Sequence, residues 1–268
     1  MKNKVQKFFL YFFLIVFTGC TISEKERSDI ITVIELRENA LNKGDIKSYR
    51  ALLSDSFENL NEHMEQLKLR NQYLRGFVYI FTSTRIDKVS SFGKRADVVV
   101  EFDLEYQRPD DPAPHVWLKR QETISFVKDP VGWRISGVKD KENSGTMIEP
   151  KTVHGIYHAL DTRISALNNG DIELFETVVD DNYSGRKELI SNFKANQEVF
   201  SDINYQLDGR RLLFISDTMD EARVEQIYSL SFKIKDFENH ERFKNQKEII
   251  SLRRDGRKGF WTITDGLR

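Results

Sequence analysis

The spacing of apolar residues changes in each half of the chain, from helical intervals to strict alternation. Apolar side chains recur every three or four residues over 29–42, which predicts an amphipathic helix. Over 98–106 every second residue is apolar, which predicts a strand with one buried face. Helices followed by strands predict an α+β architecture, with the helices packed on one face of a sheet.

Further elements follow the same logic. Apolar positions over 61–80 fit a third helix in the first half. Residues 119–138 fit two strands joined by a turn at Asp129–Gly132, and the end of the chain repeats this pattern. The Pro-containing stretch 106–115, YQRPDDPAPH, predicts a loop. It is either a recognition loop or a plain connection.

One segment of the sequence is repeated. ALNKGDIKSYRALLSDSF at 40–57 returns as ALNNGDIELFETVVDDNY at 166–183, an offset of 126 residues. In both copies a glycine can close one helix in a left-handed conformation, and the following aspartate can cap the next helix. The repeat predicts two copies of one domain, at 29–142 and 153–268, joined by a polar linker at 143–152.

The repeated AL-N-x-G-D-I corner and the closing turn–W-x-I strand resemble the nuclear transport factor 2-like superfamily. The resemblance covers both copies, most of residues 28 to 266. It implies two tandem cone-shaped domains, each with N-terminal helices on a curved, mainly antiparallel sheet. It also implies that the two copies can pair as an intramolecular pseudo-dimer. The superfamily includes ketosteroid isomerases, polyketide cyclases, dehydratases and binding modules, so the fold does not choose a function.

The N-terminus has the pattern of an export signal. Three lysines precede the ten apolar residues 8–17, which are too few to span a bilayer. The following FTGC resembles the bacterial lipobox, although Phe17 stands where leucine is usual. The resemblance implies cleavage after residue 19 and a lipid on Cys20, the chain's single cysteine. The alternative is an ordinary signal peptide with an incidental cysteine.

The lipobox resemblance also implies a location. We expect residues 20–28 to form a lipidated tether and the protein to face the periplasm, anchored to the membrane through its lipid. Thr21 after the cysteine favours the outer membrane if the cell is Gram-negative.

Charge and composition exclude several classes of function. The chain carries 41 basic and 42 acidic residues. Nucleic-acid binding needs an excess of positive charge, and because this chain has none, we expect no nucleic-acid partner. His154 and His158 have helical spacing, but the sequence offers no third ligand, and no metal site is predicted. No phosphate-binding or dinucleotide-binding glycine motif is present, and we expect no cofactor.

Two polar pairs fall on apolar faces. Arg37 and Arg163 lie on the helical stripe of each copy, and Glu122 and Glu248 alternate with apolar strand residues. Burying either ion alone would cost several kcal/mol, so we expect one Arg–Glu pair in each core. The alternative is that each arginine reaches a pocket and binds an anionic ligand.

No carboxylate occupies the inward face where the resemblance implies a catalytic base, and no catalytic residue is assigned. The sequence therefore favours a lipid-anchored binding or interaction module of the cell envelope, with an envelope protein or small ligand as partner. The alternative is an isomerase, dehydratase or cyclase-type enzyme that uses a cone pocket.

Overall fold

The computed structural model describes residues 22–90, 93–237, 240–256 and 259–267. The chain divides into two compact units. The first comprises the described residues through Asp111 together with Trp117–Met147, and the second comprises Pro112–Val116 and the residues from Ile148 onward. The predicted signal peptide, Cys20 and Thr21 lie outside the described residues.

The first half of the chain places three helices before a run of strands. The helices are α1 (Glu24–Lys43), α2 (Ile46–Leu52) and α3 (Leu60–Tyr73). The strands are β1 (Arg75–Val89), β2 (Arg95–Gln107), β3 (His115–Asp129), β4 (Gly132–Asp140) and the short β5 (Thr146–Ile148).

The second half repeats that order. Its helices are α4 (Pro150–Asn169), α5 (Ile172–Val178) and α6 (Arg186–Val199). Its strands are β6 (Phe200–Ile215), β7 (Glu221–Ile234), β8 (His240–Arg254) and β9 (Trp261–Asp265). The predicted α+β class, with helices before the sheet in each copy, is confirmed.

Both sheets are antiparallel meanders. Strands β1 to β4 pair in sequence order, with β5 beside β3, and β6 to β9 pair in sequence order. Register shifts interrupt β1–β2, β3–β4, β6–β7, β7–β8 and β8–β9. Such shifts bend strands and increase their twist, which curves a sheet around packed helices. The predicted turn at Asp129–Gly132 is confirmed, since β3 ends and β4 begins at these residues.

The helix–helix corner is built as its sequence predicts. Gly44 has φ 64°, and its N–H is donated to the carbonyl oxygens of Ala40 and Leu41 at the end of α1. The Asp45 carboxylate accepts the Ser48 N–H and caps α2. Gly170, at φ 66°, and Asp171 repeat this arrangement between α4 and α5. The corner therefore has a structural role in both copies.

The third helix predicted over 61–80 is wrong at its C-terminal end. Helix α3 stops at Tyr73, Leu74 is already extended, and β1 starts at Arg75. Residues 77–84, FVYIFTST, are aromatic or β-branched at most positions, and such residues pack well on a sheet surface. That preference outweighs the helical spacing of Leu74 and Phe77.

Two polar segments are more ordered than their composition suggests. Residues 24–28, within the predicted tether, form the start of α1, because Ser23 and Glu26 make a reciprocal capping box. The predicted linker at 143–152 contains β5 and the start of α4, where proline occupies a first-turn position. Among the described residues, no helix combines the length and the apolar character needed to cross a bilayer.

Candidate functional site

The structure brings the first predicted pair together inside the core. Arg37 shares the buried stripe of α1 with Ile30 and Ile34, and Glu122 of β3 shares its inward face with Ile124. Arg37 Nη1 donates to Glu122 Oε1 at 2.5 Å and Nη2 donates to Oε2 at 3.2 Å. The two residues are 4% and 3% exposed. This is a buried bidentate pair, the geometry in which a guanidinium best matches a carboxylate.

Tyr79 of β1 is the third member of this site. Its hydroxyl donates to Glu122 Oε1 and accepts a hydrogen bond from Arg37 Nη1 at 3.0 Å. Its ring stacks on Phe102 with the centroids 4.2 Å apart, so the ring is held by packing as well as by the hydroxyl. We call Arg37, Glu122 and Tyr79 the first triad.

Asn42 fixes the strand that carries Tyr79. Its side-chain Nδ2 donates to the Tyr79 carbonyl oxygen at 2.8 Å, and the Tyr79 N–H donates to Asn42 Oδ1 at 2.6 Å. The amide thus pairs with both backbone groups of one residue. Because Asn42 is near the end of α1, it sets the position of β1 relative to that helix.

The second unit repeats the arrangement with Arg163, Glu248 and Tyr205, which we call the second triad. Arg163 donates to Glu248 at 2.6 and 3.1 Å, and the Tyr205 hydroxyl donates to Glu248 Oε1 at 2.5 Å. Asn168 bonds both backbone groups of Tyr205, at 3.1 and 2.6 Å. All four positions are offset by 126 residues from their counterparts. The repeat therefore extends to an interior hydrogen-bond network.

The second unit adds further polar groups around its triad. Gln226 is fully buried where the first unit has Val100. With its oxygen facing Arg210, the Gln226 amide accepts two hydrogen bonds from that guanidinium, both at 2.9 Å. Arg210 also pairs with Asp161 at 2.6 Å. Polar contacts thus run from Gln226, the cross-strand neighbour of Glu248, through Arg210 to the exposed Asp161.

The arginines and tyrosines of both triads keep their protons, because the pKa values of all four are raised. Burial alone would lower the pKa of Arg37, but the Glu122 carboxylate raises that pKa well above its ordinary value. Burial likewise opposes the charge of Arg163, and Glu248 raises the pKa of that arginine. Burial raises the pKa of Tyr79 and of Tyr205 well above the ordinary phenol value, and the glutamates reinforce this shift. At neutral pH the arginines are cations and the tyrosines are neutral hydrogen-bond donors.

This geometry argues against the alternative in which the arginines bind an anionic ligand. In each guanidinium both terminal nitrogens donate hydrogen bonds to the glutamate of the same unit. The Nε atoms of Arg37 and Arg163 are buried without a partner among the described residues. The three cavities characterised in the described structure have no triad residue in their linings. Each triad is therefore an interior network of mutual hydrogen bonds, buried in the first unit and with Glu248 partly exposed in the second.

A hydroxyl–imidazole pair distinguishes the first unit. Tyr49 Oη and His63 Nε2 are 2.9 Å apart, and the His63 ring contacts Phe57 with the centroids 4.8 Å apart. Burial lowers the pKa of His63, and the nearby cations of Arg37 and Arg70 lower it further. The matching positions in the second unit are Phe175 and Leu189, so this pair is not part of the repeat.

The three cavities lie elsewhere in the two units. The largest, 590 Å³, is in the first unit and has a polar lining of serines and charged residues. A groove of 430 Å³ in the second unit lies between α4, α5 and Trp261, with His158 on its wall. A third cavity of 250 Å³ is lined by four carboxylate residues and Phe260. The described residues contain no group of three or more side chains that could hold a metal ion.

Sequence reasoning missed Tyr79 and Tyr205 although it found their partners. Tyr79 lies within the stretch 61–80 that the sequence predicts as a third helix, and a helical assignment does not place it on the sheet face beside Glu122. The signal was nevertheless present, because the two tyrosines share the 126-residue offset of the arginines and glutamates.

No family model matches the chain, and no curated protein matches it. Solved structures resemble parts of it. A hexachlorocyclohexane dehydrochlorinase from Novosphingobium barchaimii is 11% identical, with a TM-score of 0.41, over 47% of this chain and 94% of that one. A nuclear transport factor 2-like superfamily protein from Salmonella enterica is 16% identical, with a TM-score of 0.40, over 45% and 92%.

A protein from Kribbella flavida gives a similar result, with 15% identity and a TM-score of 0.41 over 48% of this chain and 96% of the other. Each likeness spans less than half of the chain. At these identities and TM-scores the likenesses decide neither family nor activity.

We expect Arg37→Ala to destabilise the first unit by about 3–5 kcal/mol, because it leaves Glu122 buried without its cation. The combined change Arg37→Met, Glu122→Leu and Tyr79→Phe should cost much less, because it leaves no unpaired polar group. Urea unfolding measures both. Arg50→Ala is the control, since its ion pair with Asp55 is exposed and should contribute about 1 kcal/mol or less. Equal losses for the single and triple variants would contradict a buried triad.

The lowered pKa of His63 makes stability depend on pH. The folded state resists protonation, while an unfolded histidine titrates at about pH 6.5. Below that pH the unfolded state binds more protons, so the free energy of unfolding should fall as the pH is lowered. His63→Leu, which copies Leu189, should reduce the drop in melting temperature between pH 7.5 and pH 5.5. His240→Leu, at an exposed position, should keep the wild-type drop. An unchanged drop in His63→Leu would refute the assignment.

Proposed function

We propose that this chain is a lipid-anchored binding module of the cell envelope, and that its two units bind rather than catalyse. One observation supports the proposal above all: a closed Arg–Glu–Tyr triad occupies the interior of both units. In a fold of this kind an enzyme needs an acid or base that faces an open cavity.

The titratable groups of the triads are poorly suited to catalysis. Each glutamate accepts hydrogen bonds from an arginine and a tyrosine at once. The tyrosines keep their protons, because their pKa values are raised by burial. General acid–base catalysis requires a group whose proton can be exchanged with substrate near neutral pH. Surfaces outside the two interiors are better placed for binding.

The anchoring part of the proposal rests on the N-terminal sequence, with the short apolar run and FTGC ending at Cys20. Because α1 begins at Glu24, only residues 20–23 separate a lipidated Cys20 from the first unit. Four residues span at most about 14 Å when extended. The first unit would therefore work within one protein diameter of the membrane surface.

An acid–base enzyme remains the second candidate function, and the Tyr49–His63 pair is the observation that favours it. The lowered pKa of His63 keeps its imidazole neutral at pH 7, as a general base requires. Against this, neither residue lines the cavities described above.

Anchoring is tested by Cys20→Ala. We expect wild-type protein to fractionate with membranes and to incorporate a labelled fatty acid. The variant should lose the label and move toward the soluble fraction, because a protein without its acyl chains keeps little membrane affinity. Thr21→Ala serves as the control and should remain labelled. A variant that stays as membrane-bound as wild type, with the same processed mass, would refute lipidation at Cys20.

Catalysis is tested by incubating the purified full chain with enolisable ketones and β-hydroxy ketones, the substrates of isomerase and dehydratase chemistry. We expect no turnover above buffer, and no difference between wild type and His63→Leu. Turnover that is lost in His63→Leu but kept in His240→Leu would overturn the binding-module proposal and assign the chemistry to the Tyr49–His63 pair.

A further inference from the structure

The largest described cavity lies in the first unit, where β1 ends and β2 begins. Its volume of 590 Å³ falls within the range of about 300–1,000 Å³ that is typical of ligand sites. Side chains from the loop after α2 and from all four main strands line it. Such convergence of separate segments is characteristic of a binding site.

Strand register places both cations of this cavity on one face of the sheet. Lys88 pairs with Asp97 across β1 and β2, and the Ser90 N–H donates to the Arg95 carbonyl oxygen one step further along. Opposite residues in an antiparallel pair share a face, and the face repeats every second residue. Lys88, Ser90, Arg95 and Asp97 therefore share the same face.

Three charged side chains of this lining are exposed to solvent and have no partner among the described residues. In the described structure, the side chains of Lys88, Arg95 and Glu58 make no hydrogen bond or ion pair. Asp97 differs, because its carboxylate accepts the Ser125 hydroxyl at 2.7 Å. The cavity thus offers two free cations from the sheet and one free carboxylate from the loop after α2.

A hydroxyl adds a free donor beside the cations. Ser90 Oγ accepts the backbone N–H groups of Lys94 and Arg95 at 3.3 and 3.1 Å. A serine hydroxyl that accepts in this way still has its own proton to donate. Ser90 is therefore ready to donate to a carboxylate held by Lys88 and Arg95.

These charges belong to the first unit alone. The matching positions in the second unit are Phe214 for Lys88, Glu221 for Arg95 and Arg223 for Asp97. There the Arg223 guanidinium lies over the Phe214 ring, 5.0 Å from its centroid. The second unit thus adopts the same fold without these charges, so the fold does not require them.

We propose that this cavity binds a small zwitterionic ligand with a free carboxylate and a free ammonium group, the chemistry that a short peptide with free termini presents. The inference rests on the proposed binding function and names its ligand class. Lys88 and Arg95 hold the peptide carboxylate, with the Ser90 hydroxyl as a further donor, and Glu58 holds the ammonium group. A ligand with an anionic and a cationic end complements both signs of charge in this lining, whereas a simple anion would also lie near the carboxylates of Glu58 and Asp97.

The test uses tri-alanine, N-acetyl-tri-alanine and tri-alanine amide, with calorimetry on the full chain. Tri-alanine should bind, and blocking either terminus should weaken binding about tenfold or more, as expected for the loss of a charge-assisted contact. In the double variant Lys88→Gln, Arg95→Gln, tri-alanine and its amide should bind equally weakly. In Glu58→Gln, tri-alanine and its acetylated form should become equivalent.

Arg85→Gln is the matched control, because Arg85 is an exposed cation of the same strand outside the cavity lining. It should bind all three peptides as wild type does. Absence of tri-alanine binding, binding indifferent to capping, or binding unchanged in the cavity variants would each overturn the assignment. If the tri-alanine peptides fail these tests while another compound still raises the melting temperature of the anchored protein, the assigned ligand class is wrong. Turnover lost in His63→Leu would instead remove the proposed function itself.

Discussion

Each unit depends on a buried ion pair between its first helix and its third strand. A charge without a partner in an apolar interior costs several kcal/mol, so Arg37 and Glu122 must meet, and meeting fixes α1 against β3. Tyr79 extends the constraint to β1, and Asn42 fixes the backbone of that strand. One network therefore holds a helix and two strands in register. The same kind of network, with Arg163, Glu248 and Tyr205, lies in the interior of the second unit.

Comparison of the two copies separates requirements of the fold from features of one unit. The Gly–Asp corner, the triad and the asparagine clamp occur in both units. The Tyr49–His63 pair and the charges Lys88 and Arg95 occur in the first unit alone. A second copy that adopts the same architecture without a feature shows that the fold does not need it. Function is therefore best sought among the residues that differ, and the polar cavity of the first unit is the clearest such place.

Local signals in the sequence predicted most of the architecture. The corner at Gly44 was predictable because a left-handed helix end and an aspartate cap have strong residue preferences. The Arg–Glu pairs were predictable because unpaired buried charges are costly and because both copies carry an arginine and a glutamate at matching positions. The boundary between helix and strand after Tyr73 was not predictable, because helical spacing and strand propensity conflict there. The cavity of the first unit was not predictable, because five separate segments of the chain converge on it and no pattern along the sequence indicates that they meet.

Alkaline titration of the phenols tests most directly whether both interiors are closed by these triads. The chain has nine tyrosines, and an exposed phenol titrates near pH 10. Because burial raises the pKa of Tyr79 and Tyr205 far above that value, the variant Tyr79→Phe, Tyr205→Phe should match the wild-type absorbance change up to about pH 11 while the protein stays folded. If instead the variant's absorbance change near pH 10 is smaller than that of wild type by two phenols, Tyr79 and Tyr205 titrate as exposed phenols. The triads would then be open to solvent, which would contradict the account.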